Sequence, residues 1–146
     1  MRPAAASGDR DDMQTRAAPG DSPQPARIMI IDDHEISRAA CRALLRTEGA
    51  EVVADLGASD QAIAAAAMLR PDVAVIDVTP LDNTGFDLAE RLRALPDPPA
   101  VILTSSTDRT TFGTRLKNHS FIAKSDLCAA TIAQLAANHN TGTITG

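Results

Sequence analysis

The chain has 146 residues, a formal net charge of -5, 44% hydrophobic residues and only 2% aromatics. That length supports one domain with its own core, and the core must be built from Ala, Val, Ile and Leu. The acidic balance, with no Lys/Arg cluster, leaves no basic face for a phosphate backbone and argues against direct nucleic-acid binding. No segment reaches the roughly 18 apolar residues of a membrane span. The N-terminus lacks the apolar core of a signal peptide, so a cytoplasmic protein without membrane attachment is expected.

Residues 1–26 are rich in Pro, Ala, Asp, Ser and Gly and are predicted to be a disordered leader. One folded domain is predicted over 27–139, with a polar, flexible tail over 140–146. The first strand is Ile28-Met29-Ile30-Ile31, ending on Asp32 and Asp33. Ile36, Ala40, Ala43 and Leu44 recur at helical spacing, and Gly49 marks the helix stop. A strand follows over 50–56 with Val52 and Val53. Ser59 is placed to cap an Ala-rich helix that ends before Pro71. Val73 to Ile76 form an apolar run without alternation, read as a strand buried on both faces, and it ends on Asp77.

Beyond a loop of turn formers and Gly85, Leu88, Leu92 and Leu95 mark a helix closed by Pro96, Pro98 and Pro99. Ala100 to Leu103 form the fourth strand, which ends on Thr104, Ser105 and Ser106. Phe112 and Leu116 mark a weaker helix, interrupted by Gly113 and by β-branched threonines. Phe121-Ile122-Ala123 is a short fifth strand ending on Lys124. The last helix is expected from about Asp126, with Cys128, Ile132, Leu135 and Ala136 inward. Cys41 and Cys128 fall within these apolar patterns and read as buried thiols rather than disulfide or metal ligands.

Five alternations of strand and helix predict a doubly wound α/β fold, a parallel sheet with helices on both faces and right-handed crossovers. In such sheets ligands bind beyond the carboxyl ends of the strands. Those ends bring together Asp32, Asp33, Asp77, Thr104 and Lys124. Three neighbouring carboxylates repel and raise one another's pKa. A hard cation relieves the conflict, and Mg²⁺ takes one or two carboxylates together with waters and phosphate oxygens. Thr104 and Lys124 are placed to hold the oxygens of a phosphoryl group on Asp77, because phosphoryl transfer depends on positioning and charge neutralisation. His34, His119 and His139 are not spaced for a shared site, which argues against a His-based metal centre or a Ser-His-Asp hydrolase.

Ile31-Asp32-Asp33-His34, Asp77 with Gly85 eight positions on, Leu103-Thr104-Ser105 and Phe121-Ile122-Ala123-Lys124 occur in this order, each at a strand end. On these residues the chain from Arg27 to about His139 resembles the receiver domain of bacterial two-component response regulators. Lys124-Ser125-Asp126-Leu127 is similar to the subgroup of receivers that precedes a helix-turn-helix DNA-binding domain. About ten residues follow the last predicted helix, so no such domain is expected there.

The resemblance implies the flavodoxin-like strand order 2-1-3-4-5 and a role in phosphorelay signalling. Asp77 matches the aspartate that accepts a phosphoryl group from a histidine kinase or phosphotransfer protein. Asp33 matches the direct Mg²⁺ ligand, Asp32 the acid that reaches the metal through water, and the backbone carbonyl of Thr79 the third protein ligand. Thr104 and Lys124 match the pair contacting the phosphoryl group. Thr104 and Phe121 match the switch pair, although Phe121 reads equally as ordinary core. Thr79 and Ser106 occupy positions that tune the lifetime of the phosphoaspartate. The output surface for a downstream partner protein would be the fourth helix, fifth strand and fifth helix, about 110–137, and homodimerisation through that face is a family expectation. Self-phosphorylation and self-dephosphorylation are the only enzymatic activities implied.

Two departures bear on these expectations. The family has Asp-x-x-x-Pro after the acceptor, whereas here the order is Pro80-Leu81. Ser125 follows the lysine where many receivers have a proline with a cis bond; a cis bond without proline costs about 3 kcal/mol, so a trans or a strained loop is expected. The displaced proline and the lack of an effector domain motivate an alternative, a non-phosphorylated pseudo-receiver acting as a protein-interaction adaptor. An aspartate-dependent phosphatase ranks third, since such enzymes place a second acid two residues after the nucleophile and position 79 is Thr.

Overall fold

The computed structural model describes residues 24–145, and residues 1–23 of the expected leader lie outside them. In chain order the elements are β1 Arg27–Ile31, α1 Glu35–Thr47, β2 Glu51–Leu56, α2 Ser59–Leu69, β3 Val73–Asp77, α3 Thr84–Arg93, β4 Ala100–Ser105, α4 Arg109–Phe112, β5 Ser120–Ala123 and α5 Ala129–Thr145. All neighbouring strands pair in parallel, in the order β2-β1-β3-β4-β5. This is the five-stranded, doubly wound, flavodoxin-like α/β fold.

The three central strands explain their own burial. Met29, Ile31, Ala74, Ile76, Val101 and Leu103 point into one layer, where they meet Ala62 and Ala66 of α2 and Leu88 and Leu92 of α3. Their alternates Ile28, Ile30, Val73, Val75, Ala100 and Ile102 point into the other, against Leu45 of α1 and Ile132 of α5. Strands covered on both faces carry no polar alternation. Each fully buried Leu or Ile holds the two layers with a truncation cost of about 2–5 kcal/mol.

The inward face of α1 differs from the expectation. Ile36, Ala40, Ala43 and Leu44 are exposed, and the buried residue is Leu45, with Cys41 packed beside it. Alanines at 39, 40 and 43 blur the apolar period, and the packed stripe is instead Arg38, Cys41 and Leu45. At α2, Ser59 is the first helical residue, while Ala58 occupies the cap position without a side-chain bond. Ser59 therefore does not cap.

Gly113 adopts φ 58 and ψ -132, a conformation that glycine reaches readily and other residues do not. It ends α4 after one turn, and a 3₁₀ turn Gly113–Leu116 completes the crossover. A second 3₁₀ turn, Lys124–Asp126, delays α5 to Ala129, so the last helix does not begin at Asp126. The described peptide bonds are all trans, which makes Lys124-Ser125 the trans alternative. The backbone of α5 stays helical past Asn140 to Thr145, in a segment without proline.

Candidate functional site

Parallel strands put all their carboxyl ends on one edge, and four of the five deliver chemistry there. Asp32 follows β1, its N–H donating to the Leu56 carbonyl at 3.0 Å. Asp77 is the last residue of β3 and pairs with Thr104 of β4. Lys124 follows β5, and its ammonium donates to Asp77 Oδ1 at 2.8 Å, Asp32 Oδ2 at 2.9 Å and Ser37 Oγ at 2.8 Å. Three donors meet three acceptors, which fixes the lysine between the two acids.

The two acids nevertheless differ. Burial pushes Asp32 up, but the His34 N–H on its Oδ1, Lys124 and the Ser37 hydroxyl together outweigh it and hold its pKa below the ordinary range. Burial also pushes Asp77 up; Lys124 opposes this while the Asp32 charge reinforces it, and the net pKa lies above the ordinary value. Burial would lower Lys124, yet its bonds to Asp77 and Asp32 hold it above the usual lysine value. Of these two acids, Asp77 is the one whose ionised form the fold favours less.

Asp33, next in the chain, is 76% exposed and points to the open side of the site. The His34 Nδ1 lies 3.1 Å from Asp33 Oδ1, 3.2 Å from Asp32 Oδ1 and 3.8 Å from Asp77 Oδ2. Ligand-type atoms of Asp32, Asp33, His34 and Asp77 all lie within 4.8 Å of one another. Three carboxylates make this a predominantly hard oxygen donor set, which suits Mg²⁺. Thr104 Oγ1 is buried and has no hydrogen-bond partner among the described residues. A partnerless buried hydroxyl beside Asp77 is a place for an oxygen acceptor carried in by a ligand.

Thr79 and Ser106 line the same open recess as Asp77 and Lys124. Phe121 stands apart from that recess, on β5, with its ring 6.0 Å from Phe112 and the Arg109 guanidinium 5.5 Å above it. Gly85 is a requirement of close approach: a Cβ there would meet Val78 Cγ1 at 2.6 Å and the Asp77 carbonyl oxygen at 3.1 Å. Only glycine lets α3 start against the end of β3. Cys41 lines a small cavity behind Asp77, Thr104 and Lys124, and burial pushes its thiol up to about 11. Both cysteines are free and partly buried.

Two contributors escape the sequence reading. Ser37 completes the coordination of Lys124, and Arg38 Nη1 donates to the Asp32 carbonyl at 2.7 Å. Arg38 belongs to the 38, 41, 45 stripe of α1, and Ser37 is its neighbour in the same first turn.

Comparison with known proteins places the fold and the site in one class. The family model for the response regulator receiver domain matches residues 28–127, and the chain belongs to that family. Receiver domains are phosphorylatable switches rather than catalytic enzymes, and they interact with histidine kinases and downstream partners. The pocket of Asp32, Asp33, Asp77 and Lys124 is typical of phosphoaccepting receivers.

The chain is 37% identical over 83 residues to the DNA-binding transcriptional activator DevR/DosR of Mycobacterium tuberculosis, a match covering 56% of this chain and 38% of that protein. It is 30% identical over 89 residues to the transcriptional regulatory protein PdtaR of the same organism, covering 61% and 43%. It therefore spans less than half the length of these curated relatives. Among solved structures, the signal receiver domain of NarL from Mycobacterium tuberculosis matches with TM-score 0.64 and 24% identity, over 82% of this chain and 99% of that one. A CheY-like receiver domain protein from Methanospirillum hungatei matches with TM-score 0.66 and 19% identity, over 82% and 99%. These two likenesses speak for the fold alone. Among the described residues, no helix is long and apolar enough to cross a membrane.

Proposed function

We propose that the chain is a phosphoryl-accepting receiver that works in the cytoplasm and signals by protein contact. Asp77 is the acceptor. Its carboxylate attacks the phosphorus of a phosphohistidine on a histidine kinase or phosphotransfer protein, so that a P–O bond forms as the P–N bond breaks and the imidazole leaves. The observation that carries this reading is the pairing of Asp77 with two groups, the Lys124 ammonium at 2.8 Å and the partnerless hydroxyl of Thr104 on the neighbouring strand.

Each neighbouring residue has a defined task in this reading. Mg²⁺, when bound, neutralises charge on the oxygens of the transferring group. Asp33 and the backbone carbonyl of Thr79 would hold it directly, and Asp32 through water. Lys124 exchanges an aspartate oxygen for a phosphoryl oxygen, and Thr104 donates its hydroxyl to another. Thr79 and Ser106, in the recess beside Asp77, govern the approach of water and hence the lifetime of the phosphoaspartate. Phe121 carries the movement of Thr104 to the α4, β5 and α5 face, where Arg109, Phe121 and Leu135 line a common cleft. That face would bind a downstream protein or a second copy. With a net charge of -5, we assign the output to protein rather than nucleic acid.

The test is the intact mass after incubation with acetyl phosphate and Mg²⁺, beside Asp77→Asn. One added phosphoryl mass in the wild type alone supports the reading. A wild type that neither gains mass nor binds Mg²⁺ overturns it in favour of a phosphorylation-independent adaptor.

A further inference from the structure

Residues 79–83 join β3 to α3 and begin one residue past Asp77's neighbour Val78. Two short-range bonds shape the segment: the Leu81 N–H donates to Thr79 Oγ1 at 3.2 Å, and the Thr84 N–H to Asp82 Oδ1 at 3.0 Å. Neither ties it to the rest of the molecule. Leu81 does not anchor it either, being 90% exposed, and Asp82 and Asn83 are exposed beside it.

The tie comes from one distant side chain. Arg115, on the 3₁₀ turn after α4, donates from Nη1 to the Pro80 carbonyl at 3.0 Å. Its Nη2 donates to the Asp82 carbonyl at 2.9 Å and to Asn83 Oδ1 at 2.7 Å. The guanidinium also lies over the Phe86 ring, 4.5 Å from its centroid, on the first turn of α3. Among the described residues these are the loop's only long-range hydrogen bonds. A planar fork is needed to satisfy acceptors from three loop residues while its face rests on a ring, which an ammonium does not reproduce. The Gly113 conformation that cuts α4 short also sets where Arg115 stands.

We propose that Arg115 is a positioning residue for the phosphorylation site, holding residues 79–83 so that the Thr79 carbonyl faces the cation held by the acids. This rests on the reading of Asp77 as a Mg²⁺-dependent acceptor. Arg115 touches neither the acids nor Lys124, and it acts through the backbone it braces.

The experiment uses the full chain with Arg115→Ala, Arg115→Lys and Asn83→Ala, thermal melting serving as the check on folding. Mg²⁺ affinity is measured by calorimetric titration, and labelling by acetyl phosphate is followed as Mg²⁺ is raised. Arg115→Ala is expected to weaken Mg²⁺ binding about tenfold, as loss of an outer-shell partner does. The Mg²⁺ needed for half-maximal labelling rises to match, while the limiting rate stays within about twofold of the wild type. Arg115→Lys behaves like the alanine variant. Asn83→Ala, which removes one of three acceptors, shifts affinity about threefold in the same direction, and it decides the matter should Arg115→Ala fail to fold.

Wild-type Mg²⁺ affinity in the folded Arg115 variants, or a fall in limiting rate with no change in Mg²⁺ dependence, overturns the proposal. A wild type that binds Mg²⁺ but takes no label from acetyl phosphate counts against the acceptor reading and not against the brace, because the titrations then still decide whether Arg115 positions the cation site.

Discussion

Asp77 and Thr104 are direct partners across the ladder between β3 and β4, so backbone register sets the hydroxyl beside the carboxylate. The same register leaves Thr104 Oγ1 buried without a partner. An unpaired buried hydroxyl costs about 1–3 kcal/mol, and an apolar group of the same shape removes that cost. Thr104→Val should therefore raise the stability of the unphosphorylated chain by about 1 kcal/mol in urea denaturation. The same variant should lose phosphoaspartate stability. A destabilised valine variant would mean that the hydroxyl already has a partner.

Lys124 is the opposite case, a charge that the unphosphorylated fold already uses. Its removal leaves Asp32 and Asp77 facing each other at the buried end of the site, and breaking a buried pair from one side is strongly destabilising. The lysine is 24% exposed, and water reaching its position softens the loss. Lys124→Ala should cost about 1–3 kcal/mol at neutral pH, and less at a pH below the ordinary aspartate range, where protonation relieves the repulsion. Denaturation midpoints at the two pH values check this; an equal loss at both would assign the lysine's contribution to packing.

Asp32 and Asp33 are chain neighbours with different surroundings. Asp32 is 4% exposed and bonded to Lys124, whereas Asp33 is 76% exposed and, among the described residues, meets the imidazole of His34 alone. Asp33→Ala should change stability by no more than about 0.5 kcal/mol, as at an ordinary surface position, yet weaken Mg²⁺ binding and labelling together. Unchanged Mg²⁺ affinity would reject Asp33 as a direct ligand.

Much of this site was legible because it sits at strand ends. Continuous runs such as Ile28 to Ile31 and Val73 to Ile76 announce strands covered on both faces, and a carboxylate directly after each run is visible in the sequence. The orientation of α1 was not legible, because alanine is apolar without being large enough to mark a face. Arg38 does not look like an inward residue until its guanidinium is seen on the Asp32 carbonyl. Arg115 and Pro80 are 35 positions apart, and no local pattern connects an arginine after a broken helix to a loop beside β3. The cap of α2 falls at Ala58, whose backbone is still extended, so the Ser59 hydroxyl already sits inside the first turn.

Gly85 gives a prediction about shape rather than charge. An added Cβ would lie 2.6 Å from Val78 Cγ1 and 3.1 Å from the Asp77 carbonyl oxygen, so α3 must shift away from β3 to admit it. Overpacking of this kind costs about 1–3 kcal/mol. Gly85→Ala should lower the melting temperature accordingly and slow labelling of Asp77. Wild-type labelling with only the melting temperature lowered would show that the acceptor does not depend on where α3 begins.

The last prediction concerns His119, away from the acidic site. Arg93 Nη2 donates to His119 Nδ1 at 3.0 Å, so this nitrogen accepts and the folded ring is neutral. The imidazole also stands edge-on to Phe86, with centroids 5.6 Å apart. Burial and the Arg93 charge push its pKa below the ordinary 6.5, with Glu90 opposing weakly. The unfolded chain then binds the proton more readily than the folded one, so stability rises with pH through this window. The contribution is fully present above pH 6.5 and is lost as pH falls through the folded value. The urea midpoint of the wild type should therefore drop between about pH 7.5 and pH 5.5. His119→Asn places an amide oxygen where Nδ1 accepts and removes the titration; it should lower the midpoint at neutral pH through lost ring packing, but flatten its pH dependence. The two proteins differ at residue 119 alone, so the difference between the two slopes belongs to it. Identical slopes would show that protonation leaves the Arg93 contact intact.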